Sequence, residues 1–160
     1  MNVYVKHFIT YVFLISTLDF YTNKFYKRIW NKKSKSEKLL IIFYLIFHNI
    51  IYFINYFSIF YLVYFFNDIS LIYFVLYFLM PIGLFMHWQT NNNRCWITVK
   101  QNRLLEISDD YGFRDIFAVL GNFHTKTGSS KNITLRDKLY NYYNIFCFCL
   151  TGLLILIKLM

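Results

Sequence analysis

The chain has 160 residues and a mass of 19.6 kDa, one domain's worth of length. Hydrophobic residues make up 58% and charged residues 16%, against roughly 45–50% and 25% in soluble domains. That balance excludes a disordered or collagen-like chain, a disulfide scaffold and an ordinary soluble globule, and it leaves a net charge of +9 to be explained.

Small residues are scarce: one Pro, five Gly and a single Ala, Ala118. Phe, Ile, Tyr, Asn and Lys, whose codons are AT-rich, dominate. The source is expected to be an AT-biased genome. Part of the aromatic excess, 19 Phe and 15 Tyr, is then codon usage rather than function.

In chain order, the first candidate span is 3–21. Its core, Phe8–Leu18, is uncharged and flanked by Lys6 and Asp19. It reaches spanning length only if Lys6 snorkels and Asp19 sits at the edge. A cleaved signal peptide fits poorly, because no small-x-small site follows and the positive charge lies after the segment. A surface-lying helix is the alternative. Next comes the strongest charge signal. Lys24, Lys27, Arg28, Lys32, Lys33, Lys35 and Lys38 stand against one acid, Glu37.

No charge falls between Lys38 and Asp68, between Asp68 and Arg94, or between Lys138 and Lys158. A bilayer core takes roughly 20 apolar residues as helix. The spans expected are 39–66, 69–88 and 140–159. A lone strand would leave backbone polar groups unpaired in lipid. The 28 residues of 39–66 make about 42 Å of helix, which exceeds the roughly 30 Å core and must tilt or project. Asn67-Asp68 reads as a two-residue hairpin tip. Pro81 removes a donor and predicts a kink, and Trp88 closes the span at an interface.

The fold class is therefore all-α: a four-span integral membrane bundle forming a single membrane domain, 1–160, with a polar loop over 89–138. Positive-inside bias places 22–38 on the cytoplasmic or matrix side. Two spans return the chain to that side, and 89–138 is indeed basic, with eight Lys or Arg against five acids. Both termini then lie opposite. The expected partners are the bilayer, anionic headgroups at Lys24–Lys38 and other membrane proteins. Nucleic acid is disfavoured, since the basic run is short and carries no recognition fold.

Within the loop, Trp96–Val99 reads as a short strand or turn. Asp109 and Asp110 sit where helix caps belong. Phe113, Ile116, Phe117 and Leu120 then form one apolar helical face, closed by Gly121. That amphipathic helix is expected on the membrane or under the bundle, with a partner-binding helix as the alternative. Thr125–Asn132 reads as a flexible loop.

His87-Trp88, Cys95-x-Ile97-Thr98, Asn102-x-Leu104 and Tyr111-Gly112-Phe113 together resemble an uncharacterised family of small four-helix bacterial membrane proteins. These carry a Cys-Pro-Leu-Thr-x-x-Glu type element after a span. The likeness covers 87–113. Trp96 stands for the Pro, and Gln101 stands near the expected acid. The resemblance implies four spans and brings no activity with it.

Candidate chemistry is sparse. His48 lies mid-span and shares a face with Tyr44, Tyr52 and Asn55 at i−4, i+4 and i+7. An intramembrane ionisable group is a functional candidate by default. The simpler reading is an interhelical hydrogen-bond stripe, since no carboxylate occupies a central span position. His87, Cys95 and His124 share the loop side, but their spacing matches no zinc pattern. Cys147 and Cys149 point about 200° apart on a helix and cannot share a metal. No metal or other cofactor is called for. The loop acids Glu106, Asp109, Asp110 and Asp115 read as a solvated helix start, and catalytic signatures are missing. The leading function is thus a non-catalytic structural or accessory membrane component. The alternatives are a small transporter or channel using His48, Asn55 and the Pro81 kink, with Tyr52 on the same polar stripe, and a lipid-acting enzyme using His87 and the loop acids, Asp109 and Asp110 among them.

The orientation is tested by glycosylation mapping in microsomes. The Asn132-Ile133-Thr134 sequon is expected to stay bare, and a sequon added near the N-terminus is expected to be modified. A glycan on Asn132 would overturn the four-span orientation.

Overall fold

The computed structural model describes residues 2–91, 94–124 and 135–160, with backbone alone for 88–89 and 135–138. The expected loop over Thr125–Asn132 and its sequon fall outside these residues, as does the side chain of Trp88. The protein is 79% helix with no strand among the described residues.

Among the described residues, three helices are long and apolar enough to cross a membrane. Helix α1 covers Val3–Thr22, with Asn2 capping its start by accepting from the Tyr4 N–H. Asn23 ends α1 and caps α2, Lys24–Ile29, which runs into a 3-10 turn at Trp30–Lys32. Helix α3, Lys35–Tyr64, is the longest. It begins four residues before the expected span because Ser34 and Glu37 form a reciprocal capping box, which outweighs the local charge. Helix α7, Leu135–Leu159, contributes the apolar stretch Leu139–Leu159.

Helix α4, Leu71–Thr90, occupies the remaining expected span and continues through Pro81. Its described apolar stretch, Leu71–His87, is shorter than the other three. The connection before it is a turn over 65–70, not a two-residue tip. Asp68 and Ile69 both donate backbone bonds to the Phe65 carbonyl, and the chain needs those extra residues to reverse.

The helices pack around α3. Helix α1 lies antiparallel along it, through Tyr4 on Tyr61 at 4.7 Å between centroids, Phe8 on Phe53 at 5.4 Å and Tyr11 on Phe57 at 5.2 Å. Aromatic pairs of this kind add about 0.5–1.5 kcal/mol beyond burial. Helices α3, α4 and α7 close a second core of Ile59, Leu62, Phe74, Tyr77 and Cys147. Lys158 reaches back over the Phe66 and Phe74 rings. At the opposite end, Phe25, Tyr26, Ile29, Ile41, Leu45 and Leu105 bury one another.

The two ends of the bundle differ in content. Arg28 donates to the Glu106 carbonyl, and Lys33 pairs with the Glu106 carboxylate at 2.9 Å, so the basic segment meets the long loop. The N-terminus, the 65–70 turn and the C-terminus gather at the other end, as Tyr4 on Ser58 and Lys158 on Phe66 show. The excess length of α3 is also accounted for. Its 30 residues make about 45 Å of helix against about 30 Å for α1. Ser16 lies opposite Asn49, so the first two turns of α3 project beyond the end of α1. There α2, the segment 96–104 and the loop that follows it clothe them.

The loop departs from expectation in two places. Trp96–Val99 belongs to a helix, α5, Trp96–Leu104. The β-branched residues are overridden because Thr98, Gln101 and Asn102 form one buried face at helical spacing. The second loop helix, α6, spans only Ile116–Leu120. Its cap is Asp115, which accepts from the Ala118 N–H at 2.9 Å. Asp109 and Asp110 instead pair with Arg103 and Arg94. Gly121 does end the helix. The apolar face is inverted: Ala118 and Val119 are buried on the bundle, while Phe117 and Leu120 are 63% and 67% exposed.

Ile41 is fully buried, whereas Leu39 on the same turn is exposed. Ile41→Ala is expected to cost about 2–5 kcal/mol and Leu39→Ala almost nothing. Thermal unfolding of both variants in one detergent checks this.

Candidate functional site at the basic end of the bundle

The site begins with a charge that apolar helices seldom bury. Asp19 lies on the last turn but one of α1, not at an exposed edge. It pairs with Arg114 at 2.6 Å, and each side chain is 2% exposed. Arg114 arrives on the loop just before α6. Its guanidinium makes five hydrogen bonds, to Asp19, Thr22, Asn122 and the carbonyls of Ala118 and Phe123. A guanidinium has five N–H donors, so the group is saturated. It clamps the end of α1 to α6.

A second layer of polar groups backs this pair. The Tyr26 phenol bonds the Asp19 carboxylate and accepts from Gln101 Nε2 at 2.6 Å. Burial, reinforced by the Asp19 charge, pushes the Tyr26 phenol well above its ordinary value, so it remains a donor. Asn102 Nδ2 holds the carbonyls of Tyr111 and Ser108. His124 packs on Phe25, with ring centroids 4.5 Å apart. Burial and the nearby Arg114 and Lys24 charges push its imidazole down to about 4, so it is neutral at physiological pH. These groups surround a cavity of about 20 Å³, room for about one water. Helix α5 thus turns its Thr98, Gln101 and Asn102 side chains into this cluster.

The stripe expected around His48 is divided. His48 stacks flat on Phe113, 3.7 Å between centroids, with its Nδ1 3.4 Å from the Thr98 hydroxyl. The Tyr52 hydroxyl meets Tyr140 at 2.9 Å, and Tyr140 donates to Asp115 at 2.7 Å. A loop carboxylate therefore reaches a mid-span tyrosine, although no span carries it. Asn55 Nδ2 donates to Asn144, and the Asn55 carbonyl accepts from Tyr77. Asn49 bonds Ser16.

The loop candidates do not converge. His87 Nε2 accepts from the Trp96 N–H at 3.0 Å. Cys95 is a half-buried free thiol at the start of α5. Asp109 and Asp110 are held by arginines, and Glu106 by Lys33. Asp115 is buried, not solvated. Cys147 is buried and Cys149 exposed, as their helical spacing requires. No cluster of three potential metal ligands occurs among the described residues.

Breaking the buried pair on one side strands the other charge. Arg114→Met alone is expected to cost about 3–5 kcal/mol, and Arg114→Met with Asp19→Leu to recover much of that. Unfolding of the single and double variants measures it, and a single variant as stable as the parent would contradict the clamp. No protein-family model, curated protein or solved structure matches this chain, so its function is argued from these residues.

Proposed function

We propose that the chain is a four-span integral membrane protein acting as a non-catalytic structural or accessory component of a larger membrane assembly. Its basic loops, 22–38 and 89–138, face the cytoplasm or matrix, and Lys24–Lys38 meet anionic headgroups there. The observation that carries this reading is how the interior polar groups are used. Asp19 with Arg114, Ser16 with Asn49, Asn55 with Asn144, and Tyr52 with Tyr140 and Asp115 bind one another across helices. The neutral hydrogen bonds among these tie neighbouring helices together at about 0.6 kcal/mol each.

Two further features support it. The outward faces of the long helices are apolar, with Phe13, Phe60, Leu76, Phe85 and Leu156 all exposed. Lipid or neighbouring helices suit that surface. The shared end of the two basic segments agrees with positive-inside topology.

A second reading, a small transporter or channel, has one observation in its favour. The Tyr11 hydroxyl and the Oδ1 atoms of Asn49 and Asn55 are buried along the seams of α3 with no hydrogen-bond partner among the described residues. Buried polar atoms of this kind carry a cost that a permeating ion or proton would relieve.

The tagged chain, extracted from its own membrane in mild detergent, is expected to run in a complex larger than the 19.6 kDa protomer. A lone monomer by light scattering would overturn the assembly part. Ion flux in liposomes that disappears with Asn55→Leu would move the conclusion to the second reading.

A further inference from the structure

Between α3 and α5 lies a groove of about 310 Å³. One wall is cationic. Lys100 and Arg103 stand three residues apart on α5, on the face away from its buried Thr98, Gln101 and Asn102. Lys33 closes the same wall and Glu37 is the one acid in the lining. The floor is apolar, built from Leu40, Tyr44 and Leu104.

The charges in this lining are not equally available. Lys33 is spent on Glu106 and Glu37, at 2.9 and 3.3 Å, and serves to fix the wall. Arg103 pairs with Asp109 at 3.2 Å, but its side chain is 63% exposed. An exposed pair like this is readily shared with another anion. Lys100 rests 5.5 Å over the Trp96 ring, and no carboxylate lies in ion-pair range of it among the described residues. The groove therefore offers one uncompensated cation and one partly compensated cation above an apolar floor.

Its position identifies the anion's source. The groove is built on the first turns of α3, which project beyond the end of α1. From Leu40 the exposed stripe continues through Phe43 and Phe47, whose rings stack at 5.6 Å, down the apolar part of the same helix. A soluble phosphate would leave that floor and stripe uncovered. A phospholipid covers both.

We propose that this groove seats one anionic phospholipid, with its phosphate between Lys100 and Arg103 and an acyl chain along Leu40, Phe43 and Phe47. Basic pockets beside membrane helices on the cytoplasmic or matrix face suit such headgroups. The inference rests on the membrane-spanning reading above.

The test is native mass spectrometry of the full chain in neutral detergent, titrated with phosphatidylglycerol, phosphatidylcholine or inorganic phosphate. One tightly retained phosphatidylglycerol is expected, with phosphatidylcholine weaker and inorganic phosphate failing to compete. Lys100→Gln with Arg103→Gln is expected to weaken retention about tenfold or more. Lys6→Gln, an exposed lysine at the opposite end of the bundle, should leave it unchanged. Leu40→Trp, which fills the floor and keeps every charge, should also displace the lipid. Equal retention by the Lys100/Arg103 variant, with its melting temperature unchanged, overturns the seat, as does competition by inorganic phosphate. Alkaline carbonate extraction separates the two levels. A chain released from the membrane defeats the membrane reading, whereas a chain that stays embedded without retaining lipid defeats only the seat.

Discussion

A carboxylate on the last turns of an apolar helix has to be neutralised where it sits, and Arg114 does this for Asp19. Much of the basic end follows from that demand. The guanidinium must come from the loop, so the loop has to fold back onto α1. Its remaining donors then take up the carbonyls of Ala118 and Phe123, which fixes where α6 begins and stops. Tyr26 supports the carboxylate from α2, and Gln101 supports Tyr26 from α5. Three short helices with little intrinsic stability are held by one charge and the polar groups that satisfy it. A buried pair of this sort is weak evidence for net stability. Its contribution is to select one arrangement of the loop over others.

The central helix imposes a second constraint. Helix α3, about 45 Å long, exceeds the roughly 30 Å of a bilayer core, and its overhang past α1 lies at one end rather than being shared between both. That asymmetry supplies the platform on which α2, α5 and the loop assemble. It also explains why two apolar cores exist: one beneath the loop around Ile41 and Leu45, the other between α3, α4 and α7 around Phe74.

The long helices are legible in the sequence because a charge-free run of spanning length seldom suits anything but a helix shielded from water. Their limits are less so. Helix α3 starts at a capping box whose Ser34 and Glu37 are both in plain view, yet the surrounding lysines mask it. The polar site is hardly legible. Asp19 stands out as a misplaced charge, but its partner lies 95 positions away and is one of 17 basic residues. Tyr52, Asn55 and Asn144 stand out by their polarity within spans, but nothing in the sequence joins them to one another or to Tyr140 and Asp115. Pairing across distant helices is decided by packing, and a single sequence carries no local trace of it. The inverted face of α6 has the same origin: Arg114 and Asp115 dictate which side turns inward, and Phe117 and Leu120 take what remains.

The separation of Asp19 from Arg114 has a bearing on biogenesis. The first helix leaves the ribosome carrying a negative charge whose counter-ion has not yet been made. At about 5–20 residues per second, the 95 intervening positions represent many seconds of translation. In the membrane-spanning reading proposed above, the nascent helix is poorly suited to stay alone in lipid throughout that interval. Its retention then depends on α3, whose aromatic seam and Asn49 become available first, or on a chaperone or insertase that shelters the acid. The ion pair thus acts as a late seal, and a chain that stalls before residue 114 carries an exposed defect that quality control can recognise.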